Sequence, residues 1–309
     1  MTKYEGSPNE EARRASIDAL RTSDFVIPSS FDIRPSSFSL QGHLNLVCGL
    51  DSLGRSSLRR QSFRAPMHIS KPHLDGNTIV VNVINPTAGL LAGDVIRSDI
   101  HVEDRARLLL TSPSANRAHR MPSGLAQVEQ YFHVTQGAWL ENWPELFIPQ
   151  AGTRYRQQTT LRVEPGGTAM LWELLAPGRV ASGEIFAFAE LEWTTKVFFG
   201  ERLVAKERYR LAPGEPSIET LRQQFPAAYY ASGFIFSPAL RESSGVWREI
   251  HDLHTEHTWI GCSALACGGW SLRVLAADSI RLRKTLSRIR EMLYGALSEP
   301  VPALRRVAF

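Results

Sequence analysis

The sequence predicts a mainly β protein with a small helical portion near its C-terminus. Three observations predict it. Strand-like runs begin at Gly42 and continue through Leu211. Turn signals such as Glu164-Pro165-Gly166-Gly167 and Pro177-Gly178 separate them. No helical periodicity falls between them, so the crossover helices that a parallel β/α fold requires are missing. The strand runs are His43 to Val47, Thr78 to Ile84, Val95 to Val102, Ala106 to Thr111, Gln127 to Val134, Arg154 to Val163, Thr168 to Leu175, Glu184 to Phe199 and Arg202 to Leu211.

Helix enters late. Ser217 to Phe225 reads as a short helix after Pro216. The clearest is Ser279 to about Leu297, where Leu282, Leu286, Ile289 and Leu293 form one apolar stripe. Asp278 is placed to cap its N-terminus. Arg281, Arg283, Lys284, Arg288 and Arg290 fall largely off the stripe. A strand, Trp270 to Ala276, precedes it. Residues 1–38 hold Ser, Pro, Glu and Arg without sustained periodicity, apart from a short helical stretch around Glu10 to Leu20. They read as a loosely ordered extension, with residues 39–309 as one β domain ending in helical elements.

Composition narrows the function. The formal charge is +4 over 309 residues, mild and scattered. A nucleic-acid binder concentrates its cations and interleaves them with aromatic rings, which this chain does not. Cys48, Cys262 and Cys267 are too few for a secreted disulfide framework, and no C-x-x-C pair exists. No apolar run approaches the ~20 residues that span a bilayer. A soluble cytoplasmic protein is expected. There is no Walker A loop, no dinucleotide fingerprint, no G-x-S-x-G elbow and no H-E-x-x-H pair, so neither a nucleotide site nor a hydrolase has support.

The most informative stretch is Asn85-Pro86-Thr87-Ala88-Gly89-Leu90-Leu91-Ala92-Gly93-Asp94, between two strand runs. Pro86 fixes φ, and Gly89 and Gly93 tolerate backbone angles that other residues resist. Two leucines between the glycines make it a packed, irregular turn that presents the carboxylate of Asp94 at its exit. Further carboxylates stand out by position. Glu141 and Glu145 flank Asn142-Trp143-Pro144. Glu173 interrupts an apolar strand, and Glu184 follows the turn Gly178 to Gly183. Strand alternation leaves Glu173 either facing solvent or facing inward, paired with Arg179 or lining a cavity. Arg117, His119 and Arg120 form a short basic cluster, read either as a charged loop or as a contact for an acidic partner. His251, His254 and His257 invite a metal reading with Cys262 nearby. Steps of three diverge on a helix and a strand turns His254 away, so only a loop would let them converge, and the segment reads first as a solvated one.

In their order and spacing, these segments resemble the urease accessory protein UreD family, also called UreH. The resemblance rests on Asn85 to Asp94, Leu110 to Arg117, Leu140 to Pro144 with Ile148 to Gly152, Trp172-Glu173, Gly178-Arg179 and Ser182-Gly183-Glu184. It runs from Gly42 to the C-terminus. The family usually carries glycine pairs in the first loop, where this chain has Ala88-Gly89 and Ala92-Gly93. Gly89 and Gly93 must therefore carry any positive φ there. The resemblance implies a right-handed β-helix-like stack of strands. It also implies a non-enzymatic role in assembling the nickel centre of urease, in association with UreF, the GTPase UreG and apo-urease. No tightly bound cofactor is implied, only nickel in transit. Ni²⁺ accepts imidazole, carboxylate and water, and a route must release the ion it admits. Asp94, Glu141, Glu173 and Glu184 are the expected stations of an interior polar path, with Arg179 positioning a carboxylate. Gly89, Gly93, Arg117 and Arg120 are expected to support the site or touch a partner. The alternatives are a scaffold acting only through its surfaces and, in a different class, a basic nucleic-acid-binding β protein.

Overall fold

A computed structural model describes residues 39–87, 89–103, 105–240 and 244–304, so the expected extension over residues 1–38 lies outside the described residues. The chain opens with an antiparallel hairpin, β1 (Gln41–Leu50) and β2 (Ser56–Arg64). Short β3 (His68–Ile69) and β4 (His73–Asp75) lead into β5 (Thr78–Ile84). Then it winds through β6 (Val95–Val102), β7 (Arg107–Thr111), β8 (Asn116–Ala118), β9 (Ala126–Val134), β10 (Trp139–Trp143), β11 (Phe147–Pro149), β12 (Arg154–Val163), β13 (Thr168–Leu175) and β14 (Glu190–Phe199). The result is a β-solenoid of about four turns.

Each turn lays one strand on each of two facing sheets. The first sheet has the order β15-β14-β12-β9-β6-β1-β2, where β15 is Arg202–Leu211. Its inner five strands run parallel, and hairpin partners close both edges antiparallel. The second sheet carries β5, β7, β10 and β13 in parallel. It continues antiparallel through β16 (Tyr229–Phe236), β18 (Gly269–Ala276) and β17 (Thr258–Ala264).

The returns on one side of the stack are a tight turn repeated three times. Ala106 N–H donates to Glu103 O at 2.9 Å, Ala138 to Thr135 at 3.1 Å and Gly167 to Glu164 at 2.9 Å. In each turn the residue before that donor is left-handed, at φ 64 for Arg105, 72 for Gly137 and 88 for Gly166. Each coil hangs on the one before it, as Thr135 N–H bonds Val102 O at 3.0 Å and Glu164 N–H bonds Val134 O at 2.8 Å. On the other side the corners are longer and irregular. One of them is the Asn85–Asp94 loop, where Leu90 bridges Ala118 in parallel and β8 pairs β11.

Apolar side chains from both sheets fill the solenoid, among them Leu46, Val81, Ile100, Leu108, Phe132, Leu161 and Leu171. A second core lies outside the second sheet, under α2 (Val246–His251) and α3 (Ser279–Ala296), with α1 (Pro216–Gln224) elsewhere on the chain. Strand β13 is therefore buried along its whole length, which is why it reads as an unbroken apolar run. Its odd-numbered residues, Ala169 and Leu171, face the bore, and Met170, Trp172 and Leu174 face the helices.

Helix α3 keeps the expected stripe, with Leu282, Leu286, Ile289 and Leu293 buried. Asp278 caps it by accepting from Arg281 N–H at 2.8 Å. Two expectations change. Arg290 is buried on the packed side rather than set off it, because Glu141 waits beneath it. Glu184 lies in a corner and not in a strand. A 3-10 turn, Val180–Ser182, and left-handed Gly183 precede it, and β14 starts only at Glu190.

Candidate functional site

Parallel strands in register stack equivalent residues, so a polar residue at one inward position builds a row when the next coil repeats it. The first sheet does this. Ser98 pairs with Gln130, Gln130 with Thr159, Thr159 with Thr195 and Thr195 with Glu207, across β6, β9, β12, β14 and β15. From the second sheet a matching row faces it: Glu173 pairs with Ser232, and Ser232 with Arg273.

The rows join by hydrogen bonds across the bore. Glu173 Oε1 accepts from Thr159 Oγ1 at 2.7 Å and from Gln157 Nε2 at 2.8 Å, and Oε2 accepts from Thr195 Oγ1 at 2.7 Å. Tyr155 Oη donates to Gln157 Oε1 at 2.6 Å, which fixes the direction of that amide. All three donors to Glu173 are neutral. Burial drives its carboxyl pKa above the usual carboxylate range, and the hydroxyls of Thr159 and Thr195 only partly oppose that. A cavity of about 140 Å³ lies against this group, lined by Ser98, Gln130, Gln157 and Glu173 on its polar side.

The Asn85–Asp94 corner of the stack adjoins this cavity. A neighbouring recess of about 200 Å³ is lined by Asn85, Thr87, Gly89, Ser114 and Arg117, and it shares Ser112 and Asn116 with the inner cavity. Asn85 Oδ1 accepts from Thr87 N–H at 3.1 Å and from its hydroxyl at 2.6 Å. Its Nδ2, and Asn116 Oδ1, are buried without a hydrogen-bond partner.

Of the four expected carboxylates only Glu173 lines the bore, and it faces inward without Arg179. Asp94 is buried as a local brace: Oδ1 accepts from Leu40 N–H at 2.9 Å and Oδ2 from Leu91 N–H at 2.8 Å. Glu141 points the other way along β10, into the helix layer, where Arg290 donates to it at 2.6 and 2.7 Å and Tyr294 Oη at 2.8 Å. Strand alternation decides this, since Leu140 takes the inward position. Glu184 is held by Arg179, whose Nε donates at 2.8 Å, and by Ala151 N–H at 2.9 Å.

The other expected residues separate in the same way. Gly93 adopts φ 87 and Gly89 φ 146, so both carry positive φ. Arg117 and Arg120 are exposed on the corner. The three histidines do not converge. His251 ends α2, His254 Nδ1 accepts from Ile260 N–H at 3.3 Å, and His257 pairs with Glu256. Among the described residues no three His, Cys, Asp or Glu side chains gather so as to hold a metal ion.

The row itself escaped the sequence reading, although a signal was present. Ser98, Gln130, Thr159 and Thr195 each stand five residues before Glu103, Thr135, Glu164 and Gly200, the residues that close each coil onto the last. Aligning the coils on those turns exposes four polar residues at one inward position.

Two outcomes test the corner. A Cβ on Gly89 would lie 2.8 Å from Arg117 O at a φ that side chains resist. Gly89→Ala is therefore expected to lower stability by about 1–3 kcal/mol in urea unfolding, with the loop between β5 and β6 displaced. For Glu184, Arg179 and then Ala151 N–H hold the pKa down to about 2, against an ordinary value of 4.5. A depressed folded pKa stabilises above the unfolded value and loses that contribution as pH falls. Glu184→Gln should thus lower the unfolding midpoint at neutral pH, and the difference from wild type should shrink between pH 4.5 and about 2.

Residues 40–308 match the model of the UreD urease accessory protein family. A urease accessory protein UreD of Opitutus terrae is 39% identical over 268 residues, covering 85% of this chain and 96% of its own. Relatives of the same name from Deinococcus radiodurans and Acetivibrio thermocellus are 38% and 30% identical, and the matches cover 82% and 78% of this chain. With a solenoid, a signature corner and a buried polar row now in one frame, the chain belongs to the UreD urease accessory protein family.

Proposed function

We propose that this protein is a non-catalytic maturation factor of the cytoplasm that joins UreF, UreG and apo-urease and passes nickel along the interior of its solenoid. The observation that carries the reading is Glu173, a buried carboxylate with only neutral partners, hydrogen-bonded across the bore to a polar row that crosses successive coils. Burying a carboxylate without a counter-charge is costly, and an arriving cation removes that cost. Hydroxyl and amide oxygens in the row replace part of a hydration shell without caging the ion, which is what a route requires. Asp94, Glu141 and Glu184 then act on the route indirectly: Asp94 and Glu184 shape its corners, and Glu141 anchors the helix layer. Arg117 and Arg120, exposed on the corner, are assigned to partner contact.

Co-purification with UreF, UreG and apo-urease, followed by a GTP- and nickel-dependent activation assay, tests this. Association with all three and activation of urease are expected. Failure to associate with any of them removes the whole reading. A scaffold acting only through surfaces takes its support from the structural roles of Asp94, Glu141 and Glu184. It predicts that Glu173→Gln activates urease at the wild-type rate.

A further inference from the structure

The polar row ends at Glu207 on β15, the last strand of the first sheet, and there its character changes. Glu207 Oε1 accepts from Arg273 Nε at 2.8 Å and from Tyr230 Oη at 2.8 Å, and Oε2 accepts from Ser232 Oγ at 2.9 Å. These groups copy those around Glu173, hydroxyls converging on a carboxylate, except that a guanidinium now supplies a positive charge. Thr195 links the two stations. Its hydroxyl donates to Glu173, and its backbone is the cross-strand neighbour of Glu207. The Glu207 and Arg273 side chains are 17% and 31% exposed, so the pair stands where the row reaches solvent. Arg273 also lies over the Phe234 ring, 4.8 Å from its centroid, and donates to Leu272 O at 2.7 Å. It has places to rest besides Glu207.

We propose that Arg273 is the resident counter-cation that closes the far end of the row, and that a divalent cation takes Glu207 only by displacing its guanidinium. The inference rests on the internal-route reading above. A monovalent ion carries no more charge than the guanidinium and lacks its directed hydrogen bond, whereas a divalent ion offers twice the charge to the same carboxylate. Displacement leaves Arg273 on Phe234 and the Leu272 carbonyl. The guanidinium can return when the ion departs, which gives the end of the row a release step.

The test uses the full chain and Ni²⁺ alone, with binding followed by titration calorimetry at neutral pH. Arg273→Gln is expected to tighten Ni²⁺ binding about tenfold, because a charge-assisted hydrogen bond no longer competes for the carboxylate. Arg273→Met, which keeps the packing over Phe234, should do the same and serves if the Gln variant does not fold. Arg273→Lys should stay close to wild type. Adding Glu207→Gln to either neutral variant should abolish the gain. Unchanged affinity in a folded neutral variant overturns the proposal, as does a gain that survives Glu207→Gln. Urease activation by Glu173→Gln separates the two readings. If that variant loses activation while the Arg273 variants leave Ni²⁺ affinity unchanged, the closure falls and the route stands. If it activates normally, the route falls.

Discussion

Arg290→Ala is expected to cost about 3–5 kcal/mol of folding stability, because it leaves the carboxylate of Glu141 buried with no counter-charge. The pair joins β10 to α3, and both side chains are almost wholly enclosed, 0% exposed for Glu141 and 6% for Arg290. Burial works against the guanidinium charge, but the hydrogen bonds and charge of Glu141 more than offset it and hold the Arg290 pKa above its usual value. The same guanidinium donates to Pro302 O at 2.9 Å and lies over the rings of Trp143 and Tyr294, at 5.5 and 5.1 Å. Its loss therefore loosens the C-terminal segment as well as the helix. Domains hold about 5–15 kcal/mol in total, so a cost of this size should put much of the protein in an unfolded or helix-detached state. Urea unfolding followed by circular dichroism measures it. Replacing both partners, Glu141→Leu with Arg290→Met, should recover most of the loss, since no buried charge remains. A double variant as unstable as the single one would mean that the ion pair is not the source of the effect.

Glu173→Gln is expected to lower urease activation at least about tenfold with the fold intact, the equivalent of about 1.4 kcal/mol on the transfer barrier. Gln is the informative replacement. It retains an oxygen for Thr159 and Gln157, turns toward Thr195 an amide N–H that this hydroxyl can accept by rotating, and removes the charge, whereas Ala would leave the hydroxyls of Thr159 and Thr195 short of any partner and confuse stability with function. The pH dependence of stability supplies an independent reading. Burial raises the folded pKa of Glu173 above 4.5, so folding favours the protonated carboxyl. That contribution is complete below the unfolded value and is lost as pH rises through the folded one. Gln mimics the protonated form at every pH. The variant should match wild type below pH 4.5 and become the more stable of the two as pH rises. Equal pH profiles for the two proteins would show that the carboxyl is not desolvated.

Legibility differed by the range of the interaction involved. Strands such as Thr78–Ile84, Arg154–Val163 and Arg202–Leu211 could be read to the residue, because alternation and turn chemistry act over a few positions. The stripe of α3 and its Asp278 cap were readable for the same reason. Glu184 was misplaced because the left-handed Gly183 and the Arg179 clamp end the corner through contacts that a strand pattern does not register. Glu141 and Glu173 show the limit most sharply. Both are carboxylates in apolar strands, yet one reaches into the helix layer to meet Arg290 and the other into the bore to meet Thr159 and Thr195.

From the residues alone followed the strand-rich class, the late helices, the packed corner with its two conformationally permissive glycines, and the family. These depend on local periodicity, on φ preferences and on the order of short segments along the chain. Only the tertiary structure decided that Asp94, Glu141 and Glu184 are braces, that the three histidines do not gather around one point, and that Ser98, Gln130, Thr159, Thr195 and Glu207 form one row. Stacking makes the difference. A solenoid brings residues some thirty positions apart into direct register, and a lone polar residue in each strand acquires its meaning from the coils above and below it.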